Sequence, residues 1–366
     1  MNDQIIYCGN NSYSKINDIL KENDAKKVLL VCDNSYDFMF IKEYMEQLDV
    51  EIVRFSGFRA NPLYEEVKSG IQILHNNRCD MIVSIGGGSA IDVAKCIKLY
   101  SEMNDNELYF KQEYKETKIK HLAIPSTAGT GSESTKFAVI YYNGEKQSIA
   151  HESIIPNYTV LEPKLLETLP IYQKKATMLD ALCQGIESLW SVNATSESFG
   201  YARNGIEMIL ENYESYLEND KSSLIHMSKA ANLCGQAINI TQTTAAHAMS
   251  YKITSKFGLA HGHAVAVCLP YVWSFLSSYD KKSSELQNAL SELNHLFQCE
   301  ADTDSIHKLI RIIDKLDMKF KHEVSDNAIY ELVDSVNIVR LQNTPVNLTR
   351  ENLYDIYIKA LNNTEL

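Results

Sequence analysis

No Cys-x-x-Cys pair occurs anywhere in the chain, although it carries eight cysteines: Cys8, Cys32, Cys79, Cys96, Cys183, Cys234, Cys268 and Cys299. Their scatter argues against a disulfide framework and a thiolate zinc site, and leaves most of them to be read as buried, unreactive thiols. Long apolar runs are also missing. The longest, such as residues 28–32, have the length of a strand and not of a membrane-spanning helix. Residues 1–6 lack the basic and apolar regions of a signal peptide, so the expected compartment is the cytoplasm. There is no basic excess. A formal net charge of −12 argues against nonspecific binding to nucleic acid or to an anionic membrane, and any anionic substrate would need a local basic pocket. Low-complexity tracts, internal repeats and flexible linkers are absent too.

What remains is the pattern of two folded domains. At 366 residues the chain is too long for one ordinary domain, and each of two could bury its own core. Residues 28–32, 50–55, 80–85 and 121–124 read as strands, and residues 38–48, 64–76 and 90–100 between them have helical spacing. Strands separated by helices imply βαβ units and a parallel sheet. Residues 139–142 and 158–161 are expected as further strands near the sheet edge. After Pro163 the pattern changes, and residues 176–191, 198–212, 221–238, 281–296, 305–316, 326–335 and 349–361 all have helical spacing. The expected organisation is an α/β domain with a parallel sheet over residues 1–163 and an all-helical domain over residues 164–366. A cleft between the two is the default place for a ligand.

Gly86-Gly87-Gly88-Ser89 joins an apolar strand to a helix. Glycines let backbone approach a phosphate, and a helix N-terminus offers free N–H groups and a partial positive charge. Ser89 and Asp92 have the spacing of a capping box, so a tight turn with an ordinary cap is the competing reading. The loop is not a Gly-x-Gly-x-x-Gly fingerprint. A second polar loop, residues 125–133, is dense in hydroxyls and glycines, which suits hydrogen bonding to phosphate or amide and equally suits a solvated loop. Asp33 ends the first predicted strand. There it either receives a ribose diol and repels a 2′-phosphate, favouring NAD over NADP, or simply forms a turn.

Three of the ten histidines lie within residues 243–263. His247 begins a short helical pattern, and His261 follows a glycine-bearing break. A helix followed by a returning loop can bring the two together. Asp180 and Gln184, spaced i, i+4, share one face of an earlier helix. A buried Asp on that face needs a partner or a cation, so the choice is between an Asp–Gln hydrogen bond and a metal site. With His247 and His261, the set would supply two oxygens and two nitrogens. A divalent ion bound by them would keep net positive charge for polarising a carbonyl or stabilising an alkoxide. His263 is expected just behind His261, as its support or as a substrate contact.

In order and spacing, residues 86–95, 125–133, 180–187 and 247–261 resemble the iron-containing (group III) alcohol dehydrogenases over nearly the whole chain. The resemblance implies an N-terminal dinucleotide-binding domain and a C-terminal metal-binding one. It implies that Gly86, Gly87, Gly88 and Ser89 hold the pyrophosphate and that Asp92 supports their loop. Ser126, Thr127, Thr130 and Ser132 would line the nucleotide, Asp33 would favour NAD, and Asp180, Gln184, His247 and His261 would bind the metal. The family usually carries His where this chain has Gln184. An oxygen ligand makes the site harder, favouring Fe²⁺ or Mn²⁺ over Zn²⁺. Where many members carry a further His, this chain has Tyr251, a candidate proton donor to a developing alkoxide.

Within that family, residues 236–247, 180–184 and 335–337 resemble the branch that reduces phosphonoacetaldehyde to 2-hydroxyethylphosphonate. A phosphonate needs cations and donors; Lys252, Lys256, Arg203 and Arg340, with Thr243 and Thr244, are the candidates. The resemblance implies a small aldehyde or alcohol as the substrate and a homo-oligomer, a dimer or larger. The alternatives are another group III dehydrogenase substrate, a metal-dependent lyase or cyclase of the dehydroquinate synthase kind, and a non-catalytic nucleotide binder with a decayed metal site. Stoichiometric NADH consumption separates the dehydrogenase from the cyclase, and metal content separates both from the third.

Overall fold

The computed structural model describes residues 4–364; residues 1–3, part of the stretch read for leader features, lie outside the described residues. The first unit carries strands β1 (Ile5–Cys8), β2 (Lys27–Cys32), β3 (Glu51–Phe55), β4 (Met81–Gly86), β5 (Lys120–Pro125), β6 (Phe137–Tyr142), β7 (Glu145–Ala150) and β8 (Tyr158–Leu161), with helices α1 (Lys15–Glu22), α2 (Ile41–Glu46), α3 (Tyr64–Asn77) and α4 (Gly88–Tyr100). Six strands pair in parallel in the order β1-β8-β5-β4-β2-β3, and β6 and β7 form a separate antiparallel hairpin.

Residue alternation along β2 explains the layering. Val28, Leu30 and Cys32 enter one core with Ile16, Ile19, Ile41 and Met45, whereas Leu29 and Val31 enter another with Val67, Ile71, Val93 and Ile97. Helices cover both faces of the sheet, so β2 from Val28 onward and all of β4 are continuously buried and do not alternate between buried and exposed. Each such fully buried Val, Leu or Ile contributes roughly 1.5–3 kcal/mol.

Two expectations need correction. Residues 158–161 were expected near the edge, but β8 lies between β1 and β5, because the unforeseen strand β1 pairs outside it. Residues 139–142 are not in the main sheet; they belong to the β6–β7 hairpin.

The strand order reverses direction between β2 and β4. From β2 the chain moves outward to β3, then crosses back to β4 and on through β5. Such a switch point leaves a crevice at the carboxyl ends of the two strands, where open α/β sheets bind ligands.

The remaining helices are α5 (Ile171–Trp190), α6 (Ser196–Leu217), α7 (Lys221–Thr241), α8 (Ala245–Phe257), α9 (His261–Ser278), α10 (Ser284–Leu296), α11 (Asp302–Lys315), α12 (Asp326–Asp334), α13 (Ile338–Leu341) and α14 (Arg350–Leu361). By internal contacts the first compact unit runs to Leu169 and takes in Asn219–Asn232; the second comprises Pro170–Glu218 and the chain from Leu233 onward. Helix α9 is buried almost all round, from Gly262 to Trp273, and contains Pro270. Among the described residues no helix is long and apolar enough to cross a membrane. Six cysteines are buried, while Cys299 is half-buried and Cys8 exposed.

Candidate metal centre and nucleotide loops

Helix α5 supplies the floor of the metal centre. Asp180 and Gln184 face the same way one turn apart, both buried, and their side chains hydrogen-bond each other. His247, in the first turn of α8, is buried as well, with Nε2 3.3 Å from Asp180 Oδ1. His261 Nε2 lies 3.9 Å from the same oxygen. One ligand atom from each of Asp180, His247 and His261 falls within 4.8 Å of the others. One carboxylate and two imidazoles converging at this separation form a donor set that fits a divalent transition metal.

His261 does not sit on a returning loop. It opens α9, with Ala260 as the N-cap. The glycine after it, Gly262, is where α9 crosses α5: a Cβ there would stand 2.0 Å from the Ala176 carbonyl oxygen and 2.6 Å from Asp180 Cβ. The break in the pattern is a helix crossing, and the missing side chain lets His261 reach Asp180.

Glu187 was not singled out from sequence, yet it is fully buried behind His247. Its Oε2 hydrogen-bonds His247 Nδ1, and its Oε1 accepts from Thr244 Oγ1 (2.6 Å) and the Ala246 N–H (2.9 Å). Trp190 Nε1 in turn donates to Thr244 Oγ1 at 3.1 Å. A carboxylate on the outer nitrogen fixes the imidazole's tautomer and orientation and raises its basicity as a ligand. The signal was available: Glu187 is seven residues from Asp180 and three from Gln184, on the same helix face.

The electrostatics agree. Burial alone would raise the Asp180 carboxyl, but the facing imidazoles of His261 and His247 hold it below its ordinary value. Burial pushes the His247 imidazole down, and the Glu187 and Asp180 carboxylates outweigh this and bring it up to about 9. Two buried carboxylates on one histidine call for positive charge, which a divalent ion would supply in place of a proton.

The open side of the centre is aromatic. The Tyr251 ring stacks on His261, with centroids 5.5 Å apart and planes 6° apart, and the Arg340 guanidinium lies 5.2 Å over the Tyr251 ring. His263 is not drawn into the cluster. Its Nδ1 is hydrogen-bonded to the Tyr172 hydroxyl at 3.1 Å, and that hydroxyl also accepts from the Ala260 N–H at 3.0 Å. Thr244 is buried on Glu187, Arg203 pairs with Glu292 at 2.9 Å, and Lys256 pairs with Glu331 at 2.5 Å.

In the first unit, the predicted nucleotide residues gather at the carboxyl ends of β2, β4 and β5, beside the switch point. The register pairs Gly86 with Pro125, which sets the two polar loops side by side. Gly86 has a φ of 153°, and a Cβ there would meet Ala90 Cβ at 2.8 Å, so only glycine fits the turn. A Cβ on Gly88 would meet Thr130 at 3.0 Å. The Ser89–Asp92 capping box of the competing reading does not form. Gly87 is the N-cap of α4 and provides no side-chain cap, Ser89 Oγ donates to the Ala60 carbonyl (3.1 Å), and Asp92 is turned inward. The first N–H groups of α4 therefore have no side-chain acceptor, as suits an anion site.

Ser132 and Asp92 form the scaffold under these loops. Ser132 Oγ donates to Asp92 Oδ1 (2.5 Å) and accepts from Lys95 Nζ (3.1 Å), while the Val139 N–H donates to Asp92 Oδ2 (3.0 Å). Burial brings the Lys95 ammonium down to about 8. Ser126 is buried, its N–H donating to the Gly86 carbonyl at 2.9 Å, and Thr127 is half-buried against Gly87. Asp33 Oδ1 accepts from the Ser35 N–H (2.8 Å) and Ser35 Oγ (2.5 Å), completing the turn, while a Cβ on Gly86 would stand 3.7 Å from Asp33 Oδ2.

Comparison with known proteins gives this arrangement a class. Residues 3–163 match the iron-containing alcohol dehydrogenase family and residues 174–361 the C-terminal domain of the Fe-containing alcohol dehydrogenase family. The chain belongs to the iron-containing alcohol dehydrogenases. It is 30% identical over 327 residues to an NADPH-dependent butanol dehydrogenase of Clostridium saccharobutylicum, covering 85% of this chain and 82% of that one. It is 32% identical over 205 residues to the phosphonoacetaldehyde reductase of Streptomyces viridochromogenes, 52% of each chain. Against the aldehyde-alcohol dehydrogenase of Streptococcus pneumoniae it is 32% identical over 274 residues, 69% of this chain, and the match spans about a third (31%) of that relative's length.

Solved structures share the fold. An iron-containing alcohol dehydrogenase from Thermococcus thioreducens superimposes with a TM-score of 0.90 at 24% identity over 99% of both chains. A sulfoacetaldehyde reductase from Bifidobacterium kashiwanohense, solved in complex with NAD⁺, gives a TM-score of 0.87 at 23% identity, over 99% of this chain and 98% of that one.

Proposed function

We propose that this chain reduces a small aldehyde to its primary alcohol with NADH, using one divalent metal held by Asp180, Gln184, His247 and His261. Iron(II) is the preferred ion, ahead of zinc or manganese. Phosphonoacetaldehyde, reduced to 2-hydroxyethylphosphonate, is the leading substrate. The observation that carries the reading is the convergence of Asp180, His247 and His261 within 4.8 Å, with Glu187 locking His247 from behind. The phosphonoacetaldehyde reductase relative supports the substrate.

Bound there, the metal supplies Lewis-acid polarisation of the aldehyde oxygen, and the nicotinamide supplies the hydride. The chain's own groups do the rest. Glu187 holds the His247 ring in one orientation, and the Tyr251 hydroxyl delivers a proton to the product oxygen from beside His261. Buried Asp180, Gln184 and His247 keep water from the inner side of the centre. The uncapped start of α4 receives the pyrophosphate, with Ser89, Thr127 and Thr130 around it, while Ser126, Ser132 and Asp92 hold the loops in shape.

The substrate assignment is tested by steady-state turnover of phosphonoacetaldehyde against 3,3-dimethylbutanal, a neutral aldehyde of similar size, with NADH. A kcat/KM at least about tenfold higher for the phosphonate, about 1.4 kcal/mol of discrimination, is the expected result. Equal efficiencies would remove the phosphonate while leaving the dehydrogenase in place.

Cofactor choice rests on Asp33. Its carboxylate repels a 2′-phosphate, and Arg54, with Nη2 3.5 Å from the Asp33 carbonyl oxygen, is held by Asp37 through bonds of 2.8 and 2.9 Å. Asp33→Ser is expected to lower the KM for NADPH by about tenfold or more, with a smaller change for NADH. A KM for NADPH that does not move would refute the role of Asp33.

A further inference from the structure

The four cations weighed as anchors for a negatively charged substrate have different surroundings. Arg203 pairs with Glu292, Lys256 with Glu331, and Lys252 is exposed with Glu331 as a charged neighbour. Arg340 is linked to the metal centre through one ring: its guanidinium lies over Tyr251, which stacks on His261. Arg340, Tyr251 and His261 are all half-buried, whereas Asp180, Gln184 and His247 are buried. The three partly open residues thus mark the side from which a substrate reaches the centre.

The backbone that carries Arg340 is tied to the same helix as Tyr251. Asn337 accepts from the Val339 N–H through its side chain (2.9 Å) and opens the short turn α13. Asn343 Nδ2 donates to the carbonyl of Thr243, just before α8, at 3.1 Å, and Asn343 Oδ1 accepts from Asn193 Nδ2 at 3.1 Å. Arg340 therefore stands in fixed relation to α8, which bears both His247 and Tyr251.

We infer that Arg340 reads an oxyanion tail on the aldehyde substrate, selecting small aldehydes that end in a tetrahedral oxyanion, a phosphonate or a sulfonate. The guanidinium lies over an aromatic ring, and its planar fork of N–H donors matches two oxygens of a tetrahedral oxyanion. In a chain of net charge −12, such a local cation is what lets an anionic substrate approach. The inference rests on the aldehyde-reductase reading and names the side chain that sets its substrate class.

The test compares kcat and KM of the metal-loaded wild-type enzyme, Arg340→Met and Arg340→Lys on phosphonoacetaldehyde, sulfoacetaldehyde and propanal, each with NADH. For Arg340→Met, the anionic aldehydes are expected to lose at least about tenfold more in kcat/KM than propanal does, mostly through KM, with partial recovery in Arg340→Lys. Direct binding of 2-hydroxyethylphosphonate, followed by calorimetry, should weaken in parallel. An equal loss on all three aldehydes, or a wild-type preference for phosphonoacetaldehyde that survives Arg340→Met, would overturn the role of Arg340; the second outcome leaves the phosphonate reading intact. A preference for sulfoacetaldehyde alone, lost in Arg340→Met, would keep the role of Arg340 and remove phosphonoacetaldehyde as the substrate. No preference for either anion would remove both.

Discussion

Asp180→Ala should abolish bound metal and turnover together. Asp180 is the one charged member of the convergent set, and both histidines face its Oδ1. Its loss leaves three neutral donors, His247, His261 and Gln184, with no carboxylate to offset the ion's charge, so a divalent ion is held far more weakly. Metal content is expected to fall below about a tenth of wild type, and kcat/KM by about a thousandfold or more, equivalent to about 4 kcal/mol of transition-state stabilisation. The fold should survive, since Glu187 still holds His247 through bonds that do not involve Asp180. Elemental analysis beside NADH oxidation reads both quantities on one sample. An Asp180→Ala enzyme with full metal and full activity would end the assignment.

The parts of this chain that could be read from sequence are those whose signals are local. The apolar runs of β2 and β4 were legible because a parallel strand covered on both faces cannot alternate. The i, i+4 pair of Asp180 and Gln184 was legible because one helix carries both. Strand β1 escaped notice because it is four residues long and only partly buried, its place set by pairing with β8 about 150 residues away. Helix α9 was hidden for the opposite reason. It is apolar almost all round, so it has no amphipathic period, and Pro270 sits inside it.

The site divides in the same way. Ligand types and order along the chain were readable, but what stands behind each ligand was not. Glu187 looked like one more acidic residue in a helix until His247 was brought onto it by α8. Asp92 and Ser132 were read as a loop support and a nucleotide contact; they meet each other and Lys95 in a buried network that only the folded hairpin and helix create. Arg340 was one of four equal cations until α13 set it over Tyr251.

Gly262→Ala is expected to cost about a hundredfold in activity without removing a ligand. The added methyl would lie 2.0 Å from the Ala176 carbonyl oxygen and 2.8 Å from the Asp180 backbone nitrogen. Both belong to α5, a helix with buried residues along most of its length, so the first turn of α9 must move away instead. Relief of the clash displaces His261 by on the order of 1 Å, a misplacement that can cost about a hundredfold in rate. The overpacking itself should destabilise the fold by about 2–3 kcal/mol. Gly200→Ala, in α6 where a Cβ has open space, is the control. There alanine should raise stability by roughly 0.5–1 kcal/mol and leave turnover alone, since glycine is disfavoured in a helix interior. Thermal unfolding, metal content and kcat/KM measured on both variants separate a general intolerance of change from the specific crossing at Gly262. If Gly262→Ala kept wild-type metal affinity and rate, His261 would not depend on the close approach of α9 to α5.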